Sequence, residues 1–158
     1  VVLFSYYPLQ ADYTVSDPEA VHAVFDSLCA AFPGRTIHVN QIGYPSGALC
    51  ASTEDLQAAF VAEVFAAWDA HASQIPLVTL LRQHDFSLAE ATSAAGPYGV
   101  STPAFIEFLR TLGLRKQPGS GADKAGWIQL KSEAAARGQS GRKCSCPSTR
   151  SATASKRP

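Results

Sequence analysis

The chain has 158 residues, 46% of them hydrophobic and 16% charged, with a formal net charge of +0. That is enough apolar material for one core, and the balanced charge gives no global case for nucleic acid or an anionic membrane as partner. No apolar run approaches the roughly 20 residues of a membrane span.

The chain opens inside an apolar segment, "VVLFSYYPL", with no methionine anywhere and no visible signal peptide, which reads as a fragment or a processed chain. The first strand is placed at Val1–Tyr7. A helix follows in "SDPEAVHAVFDSLCAAFPG", where Asp17 suits the N-cap and Pro18 the first helical position. Val21, Val24, Phe25, Leu28, Cys29 and Phe32 recur at helical spacing before Pro33-Gly34 stops it. The second strand is the β-branched run of "TIHVNQIGYPSG", residues 36–47. Its helix starts with Ser52 or Thr53 as cap and places Leu56, Phe60, Val64 and Ala67 on one face. The third strand is "IPLVTLLRQHDF", residues 75–86. An irregular Ala/Gly-rich stretch leads to a helix opened by Thr102-Pro103, carrying Phe105, Ile106, Leu109 and Leu112 and ending at Gly113. Residues 115–124 read as a loop, and a shorter helix spans Trp127–Arg137. The basic stretch 138–158, rich in Ser, Thr, Lys and Arg, reads as a disordered tail.

The strands start about 35–40 residues apart, the spacing of βα units whose crossover helices cover a parallel sheet. Their near-continuous apolar character fits strands buried on both faces. The fold class is therefore α/β, with residues 1–137 as one domain.

In such architectures working residues gather at the carboxyl ends of the strands. Those ends carry Ser5, Tyr6 and Tyr7 on the first strand, Asn40, Gln41 and Tyr44 on the second, and Arg82, Gln83, His84 and Asp85 on the third. Tyr6, Tyr7, Tyr44 and Phe86 offer ring faces on which a pyranose stacks, though tyrosines also simply pack at such rims. Strand ends meet water in any case, which alone recruits polar residues. His84 and Asp85 are neighbours on a strand and point to opposite faces, so they do not pair directly. His38, in mid-strand, reads as a hydrogen-bonded histidine against the helix layer, His22 and His71 as solvated helix residues, and Cys29 as a core thiol. The four cysteines, including Cys50 and the Cys144-x-Cys146 pair, form no metal pattern. No metal or cofactor is implied.

"SYYPLQADYTVSDP", "NQIGYPSG", "AAFVAEVFAAWDAHA" and "HDFS" together resemble the C-terminal part of bacterial glycoside hydrolases with (β/α)8 barrels. These are retaining enzymes whose catalytic glutamates end strands 4 and 7. The resemblance spans about residues 1–137 and implies a partial TIM barrel of about three βα units, corresponding to strands 6–8, plus a C-terminal helix. The family motif after strand 7 is similar to Q-E-[VI]-G-Y-P-S. Aligned on Gly43-Tyr44-Pro45-Ser46, the nucleophile position is occupied by Gln41. Near Arg82, where the family often ends strand 8 with a tryptophan platform, there is no ring. The strand-4 acid/base would lie outside this chain.

A glutamine fills the glutamate's space but carries no charge with which to attack an oxocarbenium-like centre. The resemblance thus implies a glycoside-hydrolase-like fragment, impaired as this chain. Tyr7, Asn40, Tyr44, Arg82, His84 and Asp85 are the candidate substrate-binding residues, and an oligo- or polysaccharide is the expected partner. An inverting pair made of Asp12 and Asp85 is a minor alternative. Two further readings are a non-catalytic carbohydrate-binding protein and a gene remnant without ligand. Three units leave sheet edges unpaired, so a missing N-terminal half-barrel or self-association is expected. The family implies a secreted or periplasmic location.

Overall fold

A computed structural model describes residues 1–117 and 121–138. The expected tail, Gly138 apart, and with it Cys144 and Cys146, lies outside the described residues. The order is β1 (Val2–Tyr6), α1 (Ala20–Ala31), β2 (Ile37–Ile42), α2 (Glu54–His71), β3 (Leu77–Leu80), α3 (Leu88–Ala95), α4 (Pro103–Thr111) and α5 (Ala125–Ala136), with short 3-10 turns at Ala48–Cys50 and Gly96–Tyr98. The strands form one parallel sheet in the order β1-β2-β3. The α/β class and the succession of βα units therefore stand.

The helices begin where side chains can take up their free amides. Thr53 caps α2 by accepting from Leu56 N at 3.1 Å, and Glu54 and Asp55 place negative charge in its first turn. Thr102 accepts from Phe105 N at 3.3 Å, ahead of Pro103 in α4's first turn. Before α1, Asp17 Oδ1 accepts from Glu19 N at 3.0 Å and organises the turn that feeds the helix, which itself starts at Ala20.

Among the described residues the sheet is covered on one face only, which corrects the expectation of strands buried on both. Ile37, Val39 and Ile42 are fully buried with Val21, Phe25, Phe60 and Val64 of α1 and α2. Each such side chain taken from water is worth about 1.5–3 kcal/mol, so this layer is the main core. The opposite face carries Leu3, His38 and Leu77 side by side in register, with Leu3 68% and Leu77 44% exposed. His38 thus lies on the open face rather than against the helices. A second cluster, built by Cys50, Ala91, Phe105, Phe108 and Leu112, sits with α3 and α4 beyond the sheet. A third joins Val61 and Phe65 of α2 to Leu114 and to Trp127 and Leu130 of α5.

The phase of α2 differs from the expected one at its start. Leu56 is exposed and Gln57 buried, because Gln57 Nε2 donates to the carbonyls of Tyr44, Gly113 and Thr111 at 2.8, 3.1 and 3.3 Å. These bonds tie the segment after β2 and the segment after α4 to α2 and compensate the buried Nε2, while Gln57 Oε1 is buried with no partner among the described residues.

Candidate functional site

The tip of β2 is irregular, and the irregularity positions the site. Phe4 pairs with Val39 but Ser5 with Gln41, and on the other side Val39 pairs with Val78 but Ile42 with Leu80. β2 therefore carries one residue more than either neighbour, a bulge at Asn40-Gln41. Both residues of the bulge are exposed while Val39 and Ile42 on either side are buried. Gln41 faces Tyr7, whose Oη donates to Gln41 Oε1 at 3.1 Å, and Ser5 Oγ donates to Asn40 Oδ1 at 3.3 Å.

Tyr7 and Gln41 stand on the wall of a cleft of about 410 Å³, with Arg82, Phe86, Tyr98 and Phe108 among its other walls. That volume falls within the ~300–1,000 Å³ of small-molecule sites. Tyr7 packs edge-on against Phe108, ring centroids 5.7 Å apart. Tyr98, 68% exposed, meets Phe105 edge-on at 5.5 Å. Arg82 lays its guanidinium 3.3 Å above the Phe86 ring and donates from Nη1 to the Leu109 carbonyl at 2.8 Å. Burial raises the Tyr7 hydroxyl's pKa, with Tyr98 adding to the rise and Arg82 opposing it. Burial also draws Arg82 below its ordinary value, against the pull of Tyr7, Asp85 and Glu90. No carboxylate lines this cleft among the described residues.

Of the seven candidate residues, Tyr7, Gln41 and Arg82 meet here and the others do not. Asn40 lies on the open sheet face with Ser5. Tyr44 is 3% exposed, packs against Phe60 with tilted rings 4.8 Å apart and donates to the Ser16 carbonyl at 2.8 Å. It is a pillar of the core and cannot serve as a sugar platform. β3 ends at Leu80, six residues short of its expected end. Beyond it the chain pairs with the segment after α4: Asp85 N donates to Arg115 O and Arg115 N to Gln83 O, both at 2.8 Å. That pairing carries His84 to Arg115, 3.4 Å away, and Asp85 to Lys124.

Lys124, placed in a polar loop by its surroundings in sequence, is 1% exposed. Its ammonium donates to Asp85 Oδ1 at 2.9 Å, to Thr111 O at 3.2 Å and to Gly113 O. It closes the carboxyl end of α4, where the helix dipole favours a cation. Burial pushes the Asp85 carboxyl above the usual carboxylate range and pulls Lys124 down, in each case against the partner's charge. The pair floors a second, polar cleft of about 430 Å³. Its remaining charges also pair off, Lys116 with Glu54 at 3.1 Å and Arg110 with Glu107 at 3.5 Å. This cleft holds itself neutral. Asp12 is spent on its own turn, accepting from Thr14 N at 3.0 Å and Thr14 Oγ1 at 2.7 Å. The Asp12–Asp85 inverting pair is therefore not assembled.

His22 Nε2 lies 2.8 Å from Glu63, and His71 Nε2 2.9 Å from Asp26; both link α1 to α2. Cys50 is buried, its thiol pushed up to about 11 by burial and by Glu107, and Cys29 is half-buried, its thiol also raised by burial. Neither is poised as a nucleophile. Among the described residues no three His, Cys, Asp or Glu side chains gather to hold a metal, and no helix is long and apolar enough to cross a membrane.

The sequence did hold a signal for the wall that was missed. Ser87-Leu88-Ala89-Glu90 is a capping box: Ser87 Oγ accepts from Glu90 N at 3.3 Å, and Glu90 Oε2 accepts from Ser87 N at 2.7 Å. It starts α3 inside the stretch read as irregular, and α3 with its following turn presents Ala94 and Tyr98 to the cleft. Comparison with known proteins finds no matching family model, no matching curated protein and no matching solved structure.

Proposed function

We propose that the chain is a glycoside-hydrolase-like partial (β/α)8 barrel, its strands corresponding to 6–8, whose strand-end cleft recognises a saccharide without cleaving it. The observation that carries this reading is Gln41. It occupies the position where the resembled family keeps its attacking glutamate, it stands at a bulged strand tip, and it faces Tyr7 on the cleft wall. Its amide N–H2 donates to no protein acceptor among the described residues and is free for a sugar hydroxyl. Retaining cleavage needs two carboxyl groups about 5–5.5 Å apart. The cleft offers a neutral amide and no carboxylate. Binding is the chemistry left to it. The two sheet edges and the face left unpaired among the described residues are the supports for a further half-barrel, or a second copy, as structural partner.

The test is a pair of measurements on the full chain. Incubation with a panel of aryl glycosides and oligosaccharides is expected to release no sugar. Calorimetric titration with oligosaccharides is expected to saturate and to weaken roughly tenfold in Gln41→Ala, the scale of one or two lost hydrogen bonds. Sugar release that disappears when residue 41 is changed would overturn the non-catalytic part. Flat titrations across the glycan panel would leave a ligandless remnant.

A further inference from the structure

Arg82 carries its charge into the cleft without a directly bonded carboxylate, Asp85 and Glu90 acting on it only from a distance. Among the described residues it forms no ion pair: Asp85, the nearest acid in sequence, is paired with Lys124, and Glu90 turns its Oε2 to the Ser87 amide and hydroxyl. Only Nη1 has an acceptor, the Leu109 carbonyl. The Phe86 ring covers one face of the guanidinium and fixes its plane, and the planar fork is the group that binds a carboxylate through two parallel hydrogen bonds. Around it the walls are mainly apolar, with Tyr98, Phe105 and Phe108 supplying rings. A neutral occupant can return only hydroxyl acceptors to this partly buried cation, whereas a carboxylate returns charge-assisted hydrogen bonds about twice as strong. A carboxylate compensates for the lost water.

From this geometry we infer that the cleft takes a ring compound bearing a carboxylate, the ring against the aromatic wall and the carboxylate on Arg82. The inference rests on the saccharide reading for its natural source, a hexuronic acid residue of an acidic glycan. The ring-carboxylate chemistry is shared with aryl acids, and the arms of the experiment separate the two.

The full chain is titrated by calorimetry at low salt with a methyl hexuronide, the corresponding neutral methyl hexoside, and benzoate. The hexuronide is expected to bind roughly tenfold or more tightly than the hexoside, the scale of a charge-assisted hydrogen-bonded pair, and the preference is expected to shrink as salt rises. Arg82→Gln should bring the ratio to about one. Because that variant also loses contacts to Phe86 and Leu109, Arg82→Lys serves beside it: it keeps a cation, loses the fork, and should retain part of the preference. Tyr98→Ala, at an exposed wall position, should weaken both sugars alike. Equal affinity for hexuronide and hexoside overturns the inference and leaves the saccharide reading standing. Benzoate bound while neither sugar binds supports the ring-carboxylate chemistry and sinks the saccharide reading. No binding by any of the three overturns both.

Discussion

Tyr44 and Gln41 lie three positions apart in "NQIGYPSG" and face different problems. A tyrosine after a strand end suits a sugar platform and a core pillar equally well, and local pattern does not separate them. What decides is the Ser16 carbonyl, 28 residues away, which receives the phenolic hydrogen at 2.8 Å. The place of Gln41 at a strand tip was legible, because the β-branched run before it breaks at Gly43-Tyr44-Pro45. The bulge that turns it outward was not, since nothing in a β-branched run announces an extra residue. For Tyr44 the consequence is measurable. Burial, then the charge of Asp17, then Tyr6, push its pKa up to about 12. The folded chain holds that proton where the unfolded chain, with an ordinary tyrosine near 10, has released it. Unfolded chains thus bind fewer protons between pH about 10 and about 12, and stability falls across that window. Tyr44→Phe is expected to cost about 0.5–1.5 kcal/mol at neutral pH through the lost hydrogen bond, to leave saccharide binding unchanged, and to make the alkaline loss shallower. Tyr6 and Tyr7, raised in the same direction, keep the remainder. Urea titrations at pH 7 and across the alkaline window check both parts.

At the scale of elements, the join between α4, the segment after β3 and the start of α5 is what the sequence concealed. Gly113 lets the two backbones meet, since a Cβ there would overlap the His84–Asp85 peptide. Lys124 then fills the corner. A lysine between Asp123 and Ala125 in a Gly-rich, charged stretch looks solvated, and only the three oxygens brought to it from elsewhere make its burial tolerable. Both partners of the Asp85–Lys124 pair are shifted toward neutrality by burial, so the pair holds geometry more than it adds stability. Lys124→Met orphans the Asp85 carboxylate and is expected to cost about 3–5 kcal/mol. The Thr111 and Gly113 carbonyls fare better, because Gln57 and, for Thr111, the Ser46 amide also donate to them. Adding Asp85→Asn removes the stranded charge while keeping an acceptor, so the double variant should regain a large part of the loss. Denaturant titration of the two single variants and the double one measures the coupling. Additive losses would mean that Lys124 acts through packing alone.

For the molecule as a whole, spacing and capping residues made three βα units and most of α1, α2 and α4 readable, because each is specified by nearby side chains. The number of covered faces was not readable. Leu3, Val39 and Leu77 look alike in sequence, yet Val39 is fully buried while the two leucines are exposed. Which face a helix layer takes depends on the whole assembly. Leu3, His38 and Leu77 form one row across the open face, and among the described residues β1 and β3 each leave an unpaired edge. Two exposed leucines flanking His38 beside strand edges favour association with another sheet or another copy. Sedimentation velocity of the chain should therefore show mass rising with concentration. In Leu3→Lys/Leu77→Lys that rise should diminish, because facing charges would have to be desolvated for the sheets to meet. Both positions point away from the α1–α2 core, so the double variant should lose little thermal stability, on the order of 0.5 kcal/mol for each surface change. A double variant that melts far lower would show that the row is packed in the working molecule. One that associates as strongly as the parent would move the attraction to the strand edges, where backbone groups, indifferent to these side chains, do the pairing.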